Sequence, residues 1–317
     1  MKKMMFAAAV AAVAGIAGAI ESANTVGYTT LTAGQGKWTM VGVQFEDTGT
    51  TSKNLLEYVK TSATAVTKAN MDNGAMMLVM GSNGAYTSYY YLSDAFDSDA
   101  FDADFDWDAW EELSEEDEDA AAEMYDNAAA DPKYYSEGWA LGNSALVTSI
   151  PVDIGDSVWY YNAGQASELT LSGEVNGTAS FPIPCASGMS MIANPYPTAL
   201  KFNNIAFSTL TPAASTDDAV LLMVMGTSGT YSTYYYLADA FDSDAFDADF
   251  DWDAWEELSE EDEDAAAEMY DNAAADPKYH KTGWALGNSA LVTGDVTGVG
   301  YGFWIQMPSA DTVTFTK

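Results

Sequence analysis

The 317-residue chain has no arginine, one cysteine and one histidine. Past residue 19 it has no apolar run long enough to cross a bilayer, which takes about 20 residues. Each shortage narrows the functions open to it. With only eleven lysines against 48 acids the formal net charge is −37, and nucleic-acid phosphates and anionic lipids are held by Lys and Arg, so neither is an expected partner. Cations, basic proteins and plain solubility remain. Cys185 stands alone, so no intrachain disulfide can form, and stability must come from packing, metal or assembly. His280 is the only imidazole, which leaves a Ser-His-Asp site no second candidate base. H-E-x-x-H, CxxC and a phosphate-cradling glycine loop are all missing. Two carboxylates can hydrolyse glycosides, but among 48 acids a suitable pair arises by chance. The expectation is a protein that is not an enzyme.

The first residues, MKKMMFAAAVAAVAGIAGA, place Lys2 and Lys3 before a short Met/Ala/Val/Ile run that ends in Ala17-Gly18-Ala19. That pattern predicts a signal peptide over 1–19 with an A-x-A cleavage site. The chain is then expected to be exported to the periplasm, the cell surface or the outside, and not to be an integral membrane protein. The remaining length suits about two domains.

The chain is written twice. Residues 94–134, DAFDSDAFDADFDWDAWEELSEEDEDAAAEMYDNAAADPKY, recur without change at 239–279. GWALGNSALVT follows from Gly138 and again from Gly283, and MMLVMGSNGAYTSYYYL (76–92) parallels LLMVMGTSGTYSTYYYL (221–237). Fainter matches set KWTMVGVQFE (37–46) beside GMSMIANPYP (188–197), and GDSVWYYNAG (155–164) beside GYGFWIQMPS (300–309). Two homologous domains are expected, 24–176 and 177–317. Each repeated segment holds seventeen acids and one lysine, so most of the negative charge belongs to these two stretches. The general acidity of a halophile would spread over the whole surface instead.

The flanks of each segment carry strand signals. LVMG and LMVMG lead through Ser-Asn-Gly and Thr-Ser-Gly turns into YTSYYYL and YSTYYYL, a hairpin signature. ELTLSG (168–173) and TVTFT (312–316) alternate with period two. KNLLEYVK (53–60) is the one helical phrase outside the repeated segment in the first half, and KFNNIAF is its weaker counterpart. The expected fold is mainly β: two tandem homologous β-sandwich or flattened-barrel domains, each with an inserted acidic two-helix segment at 94–134 and 239–279. The first helix is expected over Asp104–Leu113, with Trp107 and Trp110 on one side. The second is expected to start at a Ser114–Asp117 capping box and to stop at Pro132.

GMSMIANPYP (Gly188–Pro197) and the closing GYGFWIQMPSADTVTFT (from Gly300) frame most of the second half. Together they resemble a β-rich module of secreted and surface proteins in Bacteroidetes and in Verrucomicrobia–Lentisphaerae relatives, with a GWNLIGNPYP-like phrase and a GQGFWV-like closing strand. Met189 stands where that module has Trp and Ala193 where it has Gly. The first half keeps Trp38, Val41 and Gly42 without the Asn-Pro-Tyr-Pro. The resemblance implies a small surface module, brings no catalytic residues, and does not reach the acidic segments.

Asp97, Asp99, Asp102, Asp104, Asp106 and Asp108 recur as Asp242, Asp244, Asp247, Asp249, Asp251 and Asp253. Closely spaced carboxylates are what Ca²⁺ takes, roughly six to eight oxygens at a time, so these are the candidate metal ligands and Ca²⁺ the candidate cofactor. An EF-hand is excluded, because Trp107 stands where its glycine belongs and Leu113 where its glutamate belongs. The competing reading is a solvated acidic face over buried aromatics, and a basic protein partner is the third. In an extended chain the alternate aspartates would share one face; in a helix they would scatter. Tyr90 and Tyr235, the middle members of two tyrosine triplets, face opposite to their neighbours on a strand. They are candidate platforms for a glycan, against the alternative of ordinary sheet packing. His280 lies opposite Tyr135 in the repeat, which reads as a surface substitution. The leading functional expectation is an exported structural or adhesive surface protein whose acidic arms make cation-dependent contacts; a carbohydrate-binding protein is the rival.

Overall fold

The computed structural model describes residues 26–46, 52–81, 84–142, 145–226, 229–287 and 290–317. The expected signal peptide at 1–19 and the turn positions Ser82, Asn83, Thr227 and Ser228 lie outside the described residues.

The chain is mainly β, 45% strand and 28% helix, in antiparallel sheets with no closed barrel. The first half runs β1 (Val26–Ala33), β2 (Trp38–Gly42), β3 (Phe45–Glu46), β4 (Ser52–Asn54), α1 (Leu55–Tyr58), β5 (Val59–Thr61), β6 (Ala75–Met80) and β7 (Tyr86–Phe96). The acidic segment follows as α2 (Ser98–Asp104), α3 (Trp107–Glu116) and α4 (Glu118–Ala129). The half then closes through β8 (Tyr135–Leu141), β9 (Ala145–Leu146), β10 (Pro151–Asp153), β11 (Ser157–Asn162) and β12 (Ser167–Val175). The second half repeats the plan with β13 (Ser180–Cys185), β14 (Gly188–Ala193), β15 (Leu200–Lys201), β16 (Ile205–Phe207), β17 (Leu221–Met225) and β18 (Tyr231–Phe241). Its acidic segment is α5 (Ser243–Asp249), α6 (Trp252–Glu261) and α7 (Glu263–Ala274). β19 (His280–Leu286), β20 (Ala290–Val292), β21 (Asp295–Thr297), β22 (Gly302–Met307) and β23 (Asp311–Thr316) complete it.

Each half is a sandwich. In the first, a six-stranded sheet ordered β2-β11-β6-β7-β8-β9 faces a smaller sheet in which β12 pairs with β1, β3 and β5. In the second, β14-β22-β17-β18-β19-β20 faces β13-β23-β16. The strand period explains the core. Val158 and Tyr160 of β11, Met77 of β6, and Leu169 and Leu171 of β12 point into one buried cluster. Phe303 and Ile305 of β22, Leu222 of β17, and Val313 and Phe315 of β23 fill the matching cluster in the second half. The helical phrases outside the arms are short: α1 has four residues, and its counterpart is a 3-10 turn at Phe202–Asn204.

Within the ladders, the strands of each half pair only with one another. The two halves join through a nearly two-fold arrangement. Isolated bridges pair Val41 with Tyr301 and Ile192 with Asp156, residues that correspond to one another in the repeat. The Gly42 N–H donates to the Gly300 carbonyl at 2.8 Å, and the Ala193 N–H donates to the Gly155 carbonyl at 2.7 Å. The Ser157 hydroxyl donates to the buried Ile192 carbonyl at 2.6 Å. The outer faces of the six-stranded sheets meet in a separate cluster of Met40, Trp159 and Met191, with Met80, Met225 and Trp304 packed against it. This is the isologous contact of a symmetric dimer, formed inside one chain.

Candidate functional site

The acidic segment departs from the β scaffold and returns to it at a directly paired position. Phe96 of β7 lies opposite Tyr135 of β8, and Phe241 lies opposite His280 in the second half. The segment folds over its own aromatic cluster. Phe101 and Phe105 are buried with Tyr134, and Trp110, Met124 and Tyr125 pack around them. The Trp110 indole N–H donates to the Ala121 carbonyl at 3.0 Å and so ties α3 to α4. The second arm repeats these contacts, with Trp255 donating to Ala266 at 3.1 Å.

Two helices were expected in each arm, and three form. The difference lies in the caps. Asp97, Asp106 and Asp117 each accept a hydrogen bond from a backbone N–H three residues on, so each starts a helix of its own. Asp104, expected to open a helix, ends α2. Ser114, expected to cap the second helix, sits inside α3 and donates back to the Glu111 carbonyl at 2.8 Å. Acids also crowd the first turns, Asp108 in α3 and Glu118 and Asp119 in α4, where the helix dipole favours them.

The helices scatter the alternate aspartates. Asp97 and Asp106 are occupied as caps, and Asp104 pairs with Lys133 at 3.0 Å. Asp99, Asp102 and Asp108 are exposed on the arm surface. In the second arm Asp242 and Asp251 cap, Asp249 pairs with Lys278 at 3.2 Å, and Asp244, Asp247 and Asp253 are exposed. Among the described residues no group of three or more His, Cys, Asp or Glu is gathered as a metal site. The surroundings of the arms differ at Asp242. Lys281 reaches the Asp242 carboxylate at 2.5 Å, and that bond, with the Ala245 N–H, holds the Asp242 carboxyl below its ordinary range. Ser136 is the residue at the matching position in the first arm.

The tyrosine triplets alternate as the strand period requires. Tyr89 and Tyr91 pack on the main core of the first half, while Tyr90 packs on the other face of the sheet against Leu92, Ala95 and Ala140. Tyr235 likewise lies against Leu237, Ala240 and Ala285. Both middle tyrosines are half-buried in these small clusters.

His280 takes over a structural duty of Tyr135. Its Nε2 lies 2.9 Å from the Ala274 carbonyl at the end of α7, and the Tyr135 hydroxyl donates to the corresponding Ala129 carbonyl at 3.0 Å. Its Nδ1 lies 2.9 Å from Asp239. Cys185 is buried, and desolvation, followed by the charge of Asp311, pushes its thiol up to about 11.

Comparison with known protein families, curated proteins and solved structures finds no match to this chain. A cleft of about 790 Å³ opens between the two six-stranded sheets. Trp38, Trp159 and Tyr86 line it from the first half, Met225 and Tyr231 from the second. Tyr86 and Tyr231 correspond in the repeat; desolvation raises both above the ordinary tyrosine value, and the nearby Tyr231 adds to the rise at Tyr86. The Tyr86 hydroxyl donates to the Met191 sulfur across the junction at 3.3 Å. No site was expected here from the sequence. A signal was present in SVWYYN, where Val158, Trp159 and Tyr160 are apolar at both parities, the mark of a strand covered on two faces.

Proposed function

We propose that the chain is an exported, non-enzymatic structural or adhesive surface protein whose two acidic arms make cation-dependent contacts. The carrying observation is the design of the arms. Each is a self-packed helical unit inserted between two directly paired strand residues, with its acids on the outside and one lysine as counter-charge. A sheet does not need such an insertion, since a two-residue turn can join paired strands. Excess negative charge within a Debye length of about 8 Å makes a surface that gathers counter-ions. With no three acids gathered at one point among the described residues, the cations act by bridging arms of neighbouring molecules. Among the described residues no helix is long and apolar enough to cross a membrane.

The test is calorimetry and thermal melting of the full chain with Ca²⁺ and with EDTA, beside a variant in which two-residue turns replace 97–134 and 242–279. The reading expects Ca²⁺ heat and Ca²⁺-driven association in the full chain and their loss in the variant, with the β body still folded. Identical behaviour in Ca²⁺ and EDTA would remove it.

A further inference from the structure

The cleft between the two sheets carries an inference that does not depend on the arms. Its volume, about 790 Å³, falls in the range of small-molecule sites. In a chain of 48 acids, none of the described residues lining it is acidic, and Lys37 is the only charged one. The described lining also holds no Asn or Gln. Neighbouring sugar hydroxyls are gripped by two-pronged carboxylates, amides or guanidinium groups, and the described walls offer none of them. They offer instead the faces of Trp and Tyr, which stack on rings, and the thioethers of Met40 and Met225, which adapt to irregular shapes. The polar contribution comes from Thr32, Thr39 and Thr297, the last two largely buried, from Lys37, from the tyrosine hydroxyls and from glycine backbone.

We propose that this cleft binds one uncharged, apolar ring compound, stacked between Tyr86 of the first half and Tyr231 of the second, with at most a hydroxyl or two turned to the threonines. A cation meets no carboxylate among the described lining residues, and Lys37, which lines the cleft, opposes it. The site exists only where the halves meet, so each half supplies one wall.

The probe is 2-naphthol, titrated into the full chain by calorimetry, with 2-naphthylmethylamine and cellohexaose as comparison ligands. One saturable 2-naphthol site per chain is expected. Tyr86 and Tyr231 are 42% and 45% exposed, so their replacement leaves both sandwich cores intact. The double variant Tyr86→Ala, Tyr231→Ala is expected to weaken 2-naphthol by at least about tenfold, or about 1.4 kcal/mol. Met225→Trp, which fills the cleft, is expected to do the same by bulk. Unchanged thermal midpoints in both variants exclude unfolding as the cause. Three results each overturn the proposal: no saturation by 2-naphthol, 2-naphthol affinity that ignores both variants, or tighter binding of the amine or of cellohexaose than of 2-naphthol.

Discussion

Gly42 faces Ala193, its own counterpart in the repeat: a Cβ built at residue 42 would lie 2.5 Å from that of Ala193. The second matched pair is built the same way. A Cβ at Gly302 would lie 2.7 Å from the Cβ of Ser157, again its counterpart. Each pair crossing the approximate two-fold therefore contains one glycine, and two larger residues would not fit. Gly42→Ala is expected to destabilise the chain by about 1–3 kcal/mol through overpacking. Adding Ala193→Gly is expected to return much of that loss. Urea unfolding of the single and double variants measures both.

Gln44 lies fully buried at the same junction and accepts the Gly300 N–H at 2.6 Å through its side-chain oxygen. Gln44→Leu removes the acceptor and leaves a buried donor unmatched. A loss of about 1–3 kcal/mol is expected, read as a lower urea midpoint with little change in slope.

His280→Tyr recreates in the second arm the contact that Tyr135 makes in the first. It is expected to be near neutral, within about 0.5 kcal/mol. His280→Ala strands the Ala274 carbonyl and is expected to cost about 1 kcal/mol. Hydrogen exchange at the end of α7 localises the effect.

The Asp242 carboxyl is held low by Lys281 and by the Ala245 N–H. A depressed carboxylate contributes stability above its unfolded value, about 4, and loses it as pH falls through the lower folded value. Asp311 behaves alike: against some desolvation, which would raise it, the N–H groups of Leu210, Thr209 and Thr312 hold it down. Asp242→Asn is therefore expected to flatten part of the stability loss below pH of about 4. Denaturant titrations at each pH decide this.

Cys185 is expected to ignore thiol reagents at neutral pH. A thiol raised to about 11 holds almost no thiolate there, and the thiolate is the reactive form. Ellman's reagent should label it only at the rate of unfolding.

The legible part of this protein was whatever rests on local periodicity. The alternation in ELTLSG and TVTFT announced β12 and β23, and the exact repeat announced a shared plan for both halves. The cap positions in the arms were harder to read, because Asp and Ser both cap. The choice of Asp106 and Asp117 over Ser114 depends on where Trp107, Trp110 and Tyr125 close their cluster. The junction was not readable at all. Nothing near Gly42 in sequence says that Ala193 will touch it, because that contact spans two folded units.

The near two-fold join also bears on the two sandwiches as separate objects. A face that matches its own copy is adhesive wherever it is left bare, and the covalent tether keeps the right partner at high effective concentration. Cut at residue 177, the fragments should seek each other in preference to themselves: a 24–176 pair would set Ser157 against Ser157, and a 177–317 pair Ala193 against Ala193, where only the mixed pair keeps a glycine in both contacts.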